Sequence, residues 1–132
     1  MFFGAFHRKF NMKNFLFSLL LILLSVAAQA QKPADGIYIY QIAFAEWNDK
    51  SLGSTVNVII KGDTIKVIAN NKTRLSQTKS GDIIDQGIIM KHGRTGLWII
   101  GHSPNDRNAK DVGGCSDGPQ VIDFKHKKFR IC

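Results

Sequence analysis

Two cysteines in 132 residues are too few for a multiply stapled scaffold. They are also too few for a cysteine-based zinc site, and the histidine spacing does not bring three or four ligands together. No apolar run reaches the ~20 residues that a membrane-crossing helix needs. The nearest approach is Phe15 to Ala28, 14 residues with two serines among them, followed at once by the polar "QAQK". Beyond that run no 3.6-residue apolar period appears. This excludes a helical bundle and, for want of crossover helices, a parallel α/β sheet. There is no internal repeat and no low-complexity segment.

The short apolar run is informative in its own right. Met12-Lys13-Asn14 is a positively charged start, "FLFSLLLILLSV" (Phe15 to Val26) is the apolar centre, and "AAQA" places small residues at Ala28 and Ala30. Those are the three parts of a secretory signal peptide. The sequence therefore predicts a signal helix over residues 1–30, cut after Ala30, and a single domain over 31–132. An uncleaved anchor is the alternative, and it would be the chain's only membrane contact. No cysteine stands near the cut, which argues against a lipid-modified terminus. Residues 1–11 extend the leader unusually, as they would if translation began at Met12. The expected location is outside the cytoplasm, in a periplasm or the medium.

The chain carries 18 Lys plus Arg against 10 acidic residues. Arg8, Lys9 and Lys13 leave with the leader, so the expected mature domain keeps 15 against 10, a net charge of +5. A basic surface favours acidic partners such as an anionic polymer. The lysines are scattered, however, and only "KHKKFR" (Lys125 to Arg130) forms a cluster. Aromatics such as Tyr38, Tyr40 and Trp98 alternate at strand spacing, as core residues do. With export, this argues against a nucleic-acid partner.

What remains reads as strands. Apolar residues recur at period two and turn residues punctuate them. "IYIYQIAFA" (Ile37 to Ala45) places Tyr38, Tyr40, Ile42 and Phe44 on one face. "TVNVIIK" and "TIKVIAN" flank Gly62-Asp63, which suits a two-residue type II′ turn. That turn sets Ile60 opposite Ile65, Val58 opposite Val67 and Val56 opposite Ala69. A second hairpin joins "IIDQGIIMK" to "GLWIIGH". Its expected register sets Ile88 opposite Ile99, Met90 opposite Leu97 and His102 opposite Asp85, with Gly87 making room for the ring of Trp98. His92 and His126 fall in turns and are expected to be solvated. A last hairpin joins "VIDFK" to "KFRIC", with Phe124 opposite Phe129, Ile122 opposite Ile131 and Asp123 opposite Arg130. The fold class is all-β: about seven short strands in an antiparallel meander, closing into a small barrel or folding as a two-layer sandwich.

"NDRNAKDVGGCSDGP" (Asn105 to Pro119) has the look of a site. Asn105, Asp106, Asn108, Asp111 and Asp117 are oxygen ligands of the kind calcium takes. Their spacing is irregular, no Glu closes the set, and Arg107 and Lys110 interleave. Asp, Asn, Gly and Pro are also simply turn-forming residues. No metal and no cofactor is expected. Cys115 is flanked by Asp111 and Asp117, which would raise a thiol pKa, so a nucleophile is not expected there. In an exporting compartment Cys115 and Cys132 are expected to form one disulfide, making the stretch a stapled connector.

These readings favour a binding or interaction module of the cell envelope or medium, its partner an envelope protein or an anionic polymer. The candidate binding residues are Trp47 in "EWNDKSLGS" and Asn105, Asp106, Asn108 and Asp111. The alternative is a small envelope hydrolase using His102 with Asp85 or Asp106 as an acid–base pair. A ligand carrier would need an unfilled barrel, which this strand count does not suggest.

Overall fold

A computed structural model of the chain describes residues 12–18 and 31–132. The chain divides into two compact units, Met1–Ala30 and Gln31–Cys132. In the first, residues 12–18 are helical and exposed. The rest of the expected signal segment, its cleavage point and residues 1–11 lie outside the described residues. No helix among the described residues is long and apolar enough to cross a membrane.

The second unit is all-β. Its strands are β1 (Gly36–Phe44), β2 (Thr55–Lys61), β3 (Thr64–Ala69), β4 (Ile83–Lys91), β5 (Trp98–Gly101), β6 (Ile122–Asp123) and β7 (Lys128–Ile131). They form one sheet in the order β5-β4-β3-β2-β1-β7-β6. An Ile99–Val121 bridge and a hydrogen bond from Ile100 N to Gln120 O (3.0 Å) join the two edges, so the sheet nearly closes into a barrel. Every spatial neighbour is also a chain neighbour, except β1 and β7. Those two run parallel, pairing Gln41 with Lys128 through Phe44 with Ile131. A ring of strands that alternate up and down can be antiparallel throughout only if their number is even. Seven strands force one parallel pair, and it falls where the chain's ends meet. The meander is therefore mixed rather than wholly antiparallel.

The first hairpin has the register its alternation dictates, Ile60 to Ile65, Val58 to Val67 and Val56 to Ala69. All six are buried. Gly62 takes φ 58 and Asp63 keeps a negative φ, as a type II′ turn requires. Tyr40, Ile42, Phe44, Ile89, Ile100, Ile122, Phe124 and Phe129 complete a contiguous core with Val56, Val58, Ile60, Ile65 and Val67. Each such side chain stabilises the fold by about 1.5–3 kcal/mol when fully buried. Burial, with Tyr38 and Asp123 nearby, pushes the Tyr40 phenol up to about 12.

Both later hairpins are displaced by two residues from the expected registers. In β4–β5, Ile88 pairs with Gly101, Ile89 with Ile100 and Met90 with Ile99. In β6–β7, Ile122 pairs with Phe129 and Asp123 with Lys128. The cause is the same in each. The turns are longer than the minimum, spanning residues 92–97 and 124–127, and in each a polar side chain at its start, His92 or Asp123, satisfies a backbone amide of the turn. His92 is only 1% exposed, not solvated. Its Nδ1 accepts from the Thr95 hydroxyl (2.8 Å) and the Thr95 N–H (3.3 Å), which leaves the ring proton on Nε2, donated to Ala109 O at 2.6 Å. A shift of two does not exchange the two faces of a strand, so the side chains that share a face still do so.

In the last turn Asp123 replaces tight turn geometry. Its Oδ1 accepts His126 N–H at 3.0 Å, and its Oδ2 lies 2.8 Å from His126 Nδ1 and 3.6 Å from Arg130 Nη2. The ion pair with Arg130 thus survives the register change as a diagonal contact. His126 itself is exposed. Burial would raise the Asp123 pKa, but the His126 hydrogen bonds and charge, with Arg130, outweigh it and hold the carboxyl below its ordinary 3.8. A depressed folded-state pKa stabilises the fold above the unfolded value of ~3.9 and loses that contribution as pH falls through the folded value. Asp123→Asn should therefore cost about 1 kcal/mol at pH 7. Urea midpoints of variant and wild type should converge at about pH 2; a gap that persists there would refute the linkage.

Candidate functional site

The two barrel ends differ. One carries Gly62-Asp63 and the turns 92–97 and 124–127. The other carries segments 45–54, 70–82 and 102–121, and the Cys132 terminus of β7. Long segments on a rigid scaffold are where recognition concentrates. Two recesses open at this end.

The first is a groove of about 440 Å³ lined by Phe44, Glu46, Trp47, Leu52, Arg74, Leu75, Ser76 and Cys132. Its wall is the segment after β1. Phe44 O accepts Asp49 N, Trp47 O accepts Lys50 N, and Lys50 O accepts Phe44 N, at 2.9–3.1 Å. Asn48, Asp49, Leu52 and Gly53 all take positive φ. Asn, Asp and Gly tolerate that conformation; a leucine at φ 51 is strained by about 1–2 kcal/mol. The strain is not repaid by burial, since Leu52 is 53% exposed and Trp47 50% exposed. Trp47 leans on Phe44, with ring centroids 5.5 Å apart. The opposite wall is pinned by buried Ser54, whose Oγ accepts Arg74 N–H at 2.8 Å, and by Thr73 Oγ1 donating to Thr55 O at 2.6 Å. The Cys115–Cys132 disulfide closes the third side, with Glu46 Oε1 3.8 Å from the Cys132 sulfur.

The second recess, about 560 Å³, is lined by Ile84, Asp85, His102, Asp106, Asp117 and Gln120 above a floor of Phe129 and Ile131. A bulge in β4, where Val67 pairs with Asp85 but Ile68 with Ile83, leaves Ile84 without a partner on β3 and sets Asp85 on the inward face. Asp85 Oδ1 meets His102 Nε2 at 2.7 Å, the carboxylate 11% and the imidazole 57% exposed. The observed register places His102 beside Gly87, so it reaches Asp85 diagonally. Asp106 Oδ2 accepts two backbone amides, His102 N (2.7 Å) and Ser103 N (3.3 Å), and so caps the turn Pro104–Asn108. Gln120 Oε1 is buried without a hydrogen-bond partner among the described residues.

The candidate residues thus fall in different places. Trp47 flanks the groove, and His102, Asp85 and Asp106 meet in the second recess. Asn105 is exposed on the turn Pro104–Asn108, while Asn108 and Asp111 line a third hollow beside His92. Cys115 and Cys132 are joined. Among the described residues, the one cluster of three His, Cys, Asp or Glu ligand atoms is Glu46 with these two cysteines, whose sulfurs are bonded to each other. Leu52, Arg74 and Leu75 escaped the sequence reading, since no composition signal marks a left-handed leucine or a groove wall drawn from a polar connector.

Fold and recesses together define a small, disulfide-bonded β-barrel domain with its long segments gathered at one end. No family model, no curated protein and no solved structure matches the chain.

Proposed function

We propose that Gln31–Cys132 is an exported binding module of the cell envelope or medium, and that an envelope protein docks in the Trp47 groove. The observation that carries this is Leu52: an apolar side chain held out to solvent by a strained backbone, next to an equally exposed tryptophan. Strain of that kind persists where the surrounding structure enforces it, and it clusters at ligand contacts. Glu46 and Arg74 give the groove one charge of each sign, which would orient a partner rather than bind it tightly. The signal segment supports export, and the disulfide suits that compartment.

The hydrolase alternative rests on the 2.7 Å His102–Asp85 pair. It ranks second because Asp106, the remaining acid–base candidate, is engaged with backbone amides. One comparison separates the two. Trp47→Ala should lower affinity for the captured envelope protein about 30-fold, roughly 2 kcal/mol, as central aromatic anchors do. His102→Ala should leave it unchanged. Titration calorimetry on partner recovered from envelope extract reads both, and equal affinity of wild type and Trp47→Ala would sink the groove as the site.

A further inference from the structure

A third hollow, about 430 Å³, lies between the β4–β5 turn and the connector that returns to β6. Three hydrogen bonds clamp its two walls together: His92 Nε2 to Ala109 O (2.6 Å), Gly93 N to Arg107 O (2.8 Å) and Arg94 Nη2 to Lys110 O (2.6 Å). The clamp gathers Arg94, Arg107 and Lys110 around one space, with Asp111 as the only carboxylate in the lining. No carboxylate comes within ion-pair distance of any of these three cations among the described residues. The hollow therefore concentrates two net positive charges that the fold does not neutralise. Holding like charges together costs energy that a bound anion would relieve. The buried imidazole of His92 serves to hold the walls, its Nε2 engaged with Ala109 O.

We propose that this hollow is an oxyanion site, taking a phosphate or carboxylate group of an anionic polymer. Arg94 uses one guanidinium nitrogen on Lys110 O and keeps its other donors for a fork-shaped contact with two oxygens. Arg107 supplies a second fork and Lys110 a point charge. The Asn108 side chain, also in the lining, adds neutral amide donors. This site does not depend on the Trp47 groove, which lies at the long-segment end and has a different chemistry.

The test is an amide NMR titration of the full chain with inorganic phosphate, then with polyphosphate and with polygalacturonate. Shifts at Gly93, Asn108 and Lys110 should saturate with phosphate, and at least one polymer should bind more tightly. Binding of polyphosphate alone assigns the natural group as phosphate, and binding of polygalacturonate alone assigns it as carboxylate. Arg107→Gln with Lys110→Gln should weaken polymer binding at least tenfold. Lys61→Gln with Lys66→Gln removes the same charge from β2 and β3, outside the lining of the hollow, and should change it less than twofold. Thermal melts of both double variants check that each is folded. Equal losses in the two would reduce the effect to net charge, and absence of shifts at Gly93 and Asn108 would eliminate the site; either result overturns the proposal.

Discussion

Replacing Cys115 and Cys132 together by serine should lower the unfolding free energy by about 3 kcal/mol, the chain-entropy value for a loop near 15 residues. The bridge spans 17 positions. What it restrains is specific. β7 contributes Phe129 to the core and is the only strand joining β1 to β6. β6 is very short, and its link to β5 is the single Ile99–Val121 bridge. Without the disulfide, the closing side of the barrel would depend on those few backbone bonds and on the clamp at His92. For a domain of about 100 residues, a loss of this size lowers the melting temperature by roughly 12–24 °C. Both sulfurs belong to exposed residues, so reductant should reproduce the serine variant without denaturant. Urea unfolding with and without reductant measures the difference. A difference under about 1 kcal/mol would show that β7 is held by packing alone. Because Cys132 lines the Trp47 groove, the same reduction should also weaken partner binding.

Much of the barrel was legible because period-two alternation, once one face is buried, decides which side chains face the core and forbids a slip of one. The Gly62-Asp63 hairpin shows this most clearly, as a slip of one would put Val56, Val58 and Ile60 in water. The last hairpin was legible in face but not in register, and β4–β5, with apolar residues on both faces, was legible in neither. Turn length there is decided by hydrogen bonds that alternation does not encode: His92 to a carbonyl 17 residues away, and Asp123 to its own turn. The parallel β1–β7 pair follows from counting seven strands and closing them, so it was implicit in the chain.

The candidate site was legible only in part. The His102–Asp85 pair was expected for the wrong reason. The assumed register set them opposite, whereas the two-residue shift of β4–β5 sets His102 beside Gly87 and they meet diagonally. Trp47 was identifiable as an aromatic within a polar segment. Leu52 was not, because its significance lies in a backbone angle. The basic hollow was the least visible. Arg94 and Arg107 lie on different segments and become neighbours only when the connector folds back on the β4–β5 turn.

Gly87→Ala should cost about 3 kcal/mol, the upper range for overpacking by one methyl, in a strand where alanine would ordinarily be an improvement. The reason differs from the one its neighbours suggest in sequence. Gly87 does not make room for Trp98, which pairs with Lys91 and stacks edge-on against Phe124 at 5.6 Å. A Cβ on Gly87 would stand 2.3 Å from Gly101 O and 3.1 Å from Ile100 Cγ2. The first of these is backbone, which cannot swing aside. The Ile88–Gly101 and Ile89–Ile100 pairs would have to open, which would leave β5 with its Met90–Ile99 and Lys91–Trp98 pairs to β4 and its bridge to Val121. Gly36→Ala is the matched control. It also lies in a strand, but its Cβ would meet only the Tyr38 ring at an ordinary 3.5 Å, so it should be neutral or slightly stabilising. If both variants unfold at the same urea concentration, the close approach of β4 and β5 is not a constraint on stability. The variant has a second consequence. His102 lies beside Gly87 in the register, and its partner Asp85 lies two residues before it, so the 2.7 Å contact should lengthen as the strands part. The His102 ring resonances should move in Gly87→Ala and stay in place in Gly36→Ala.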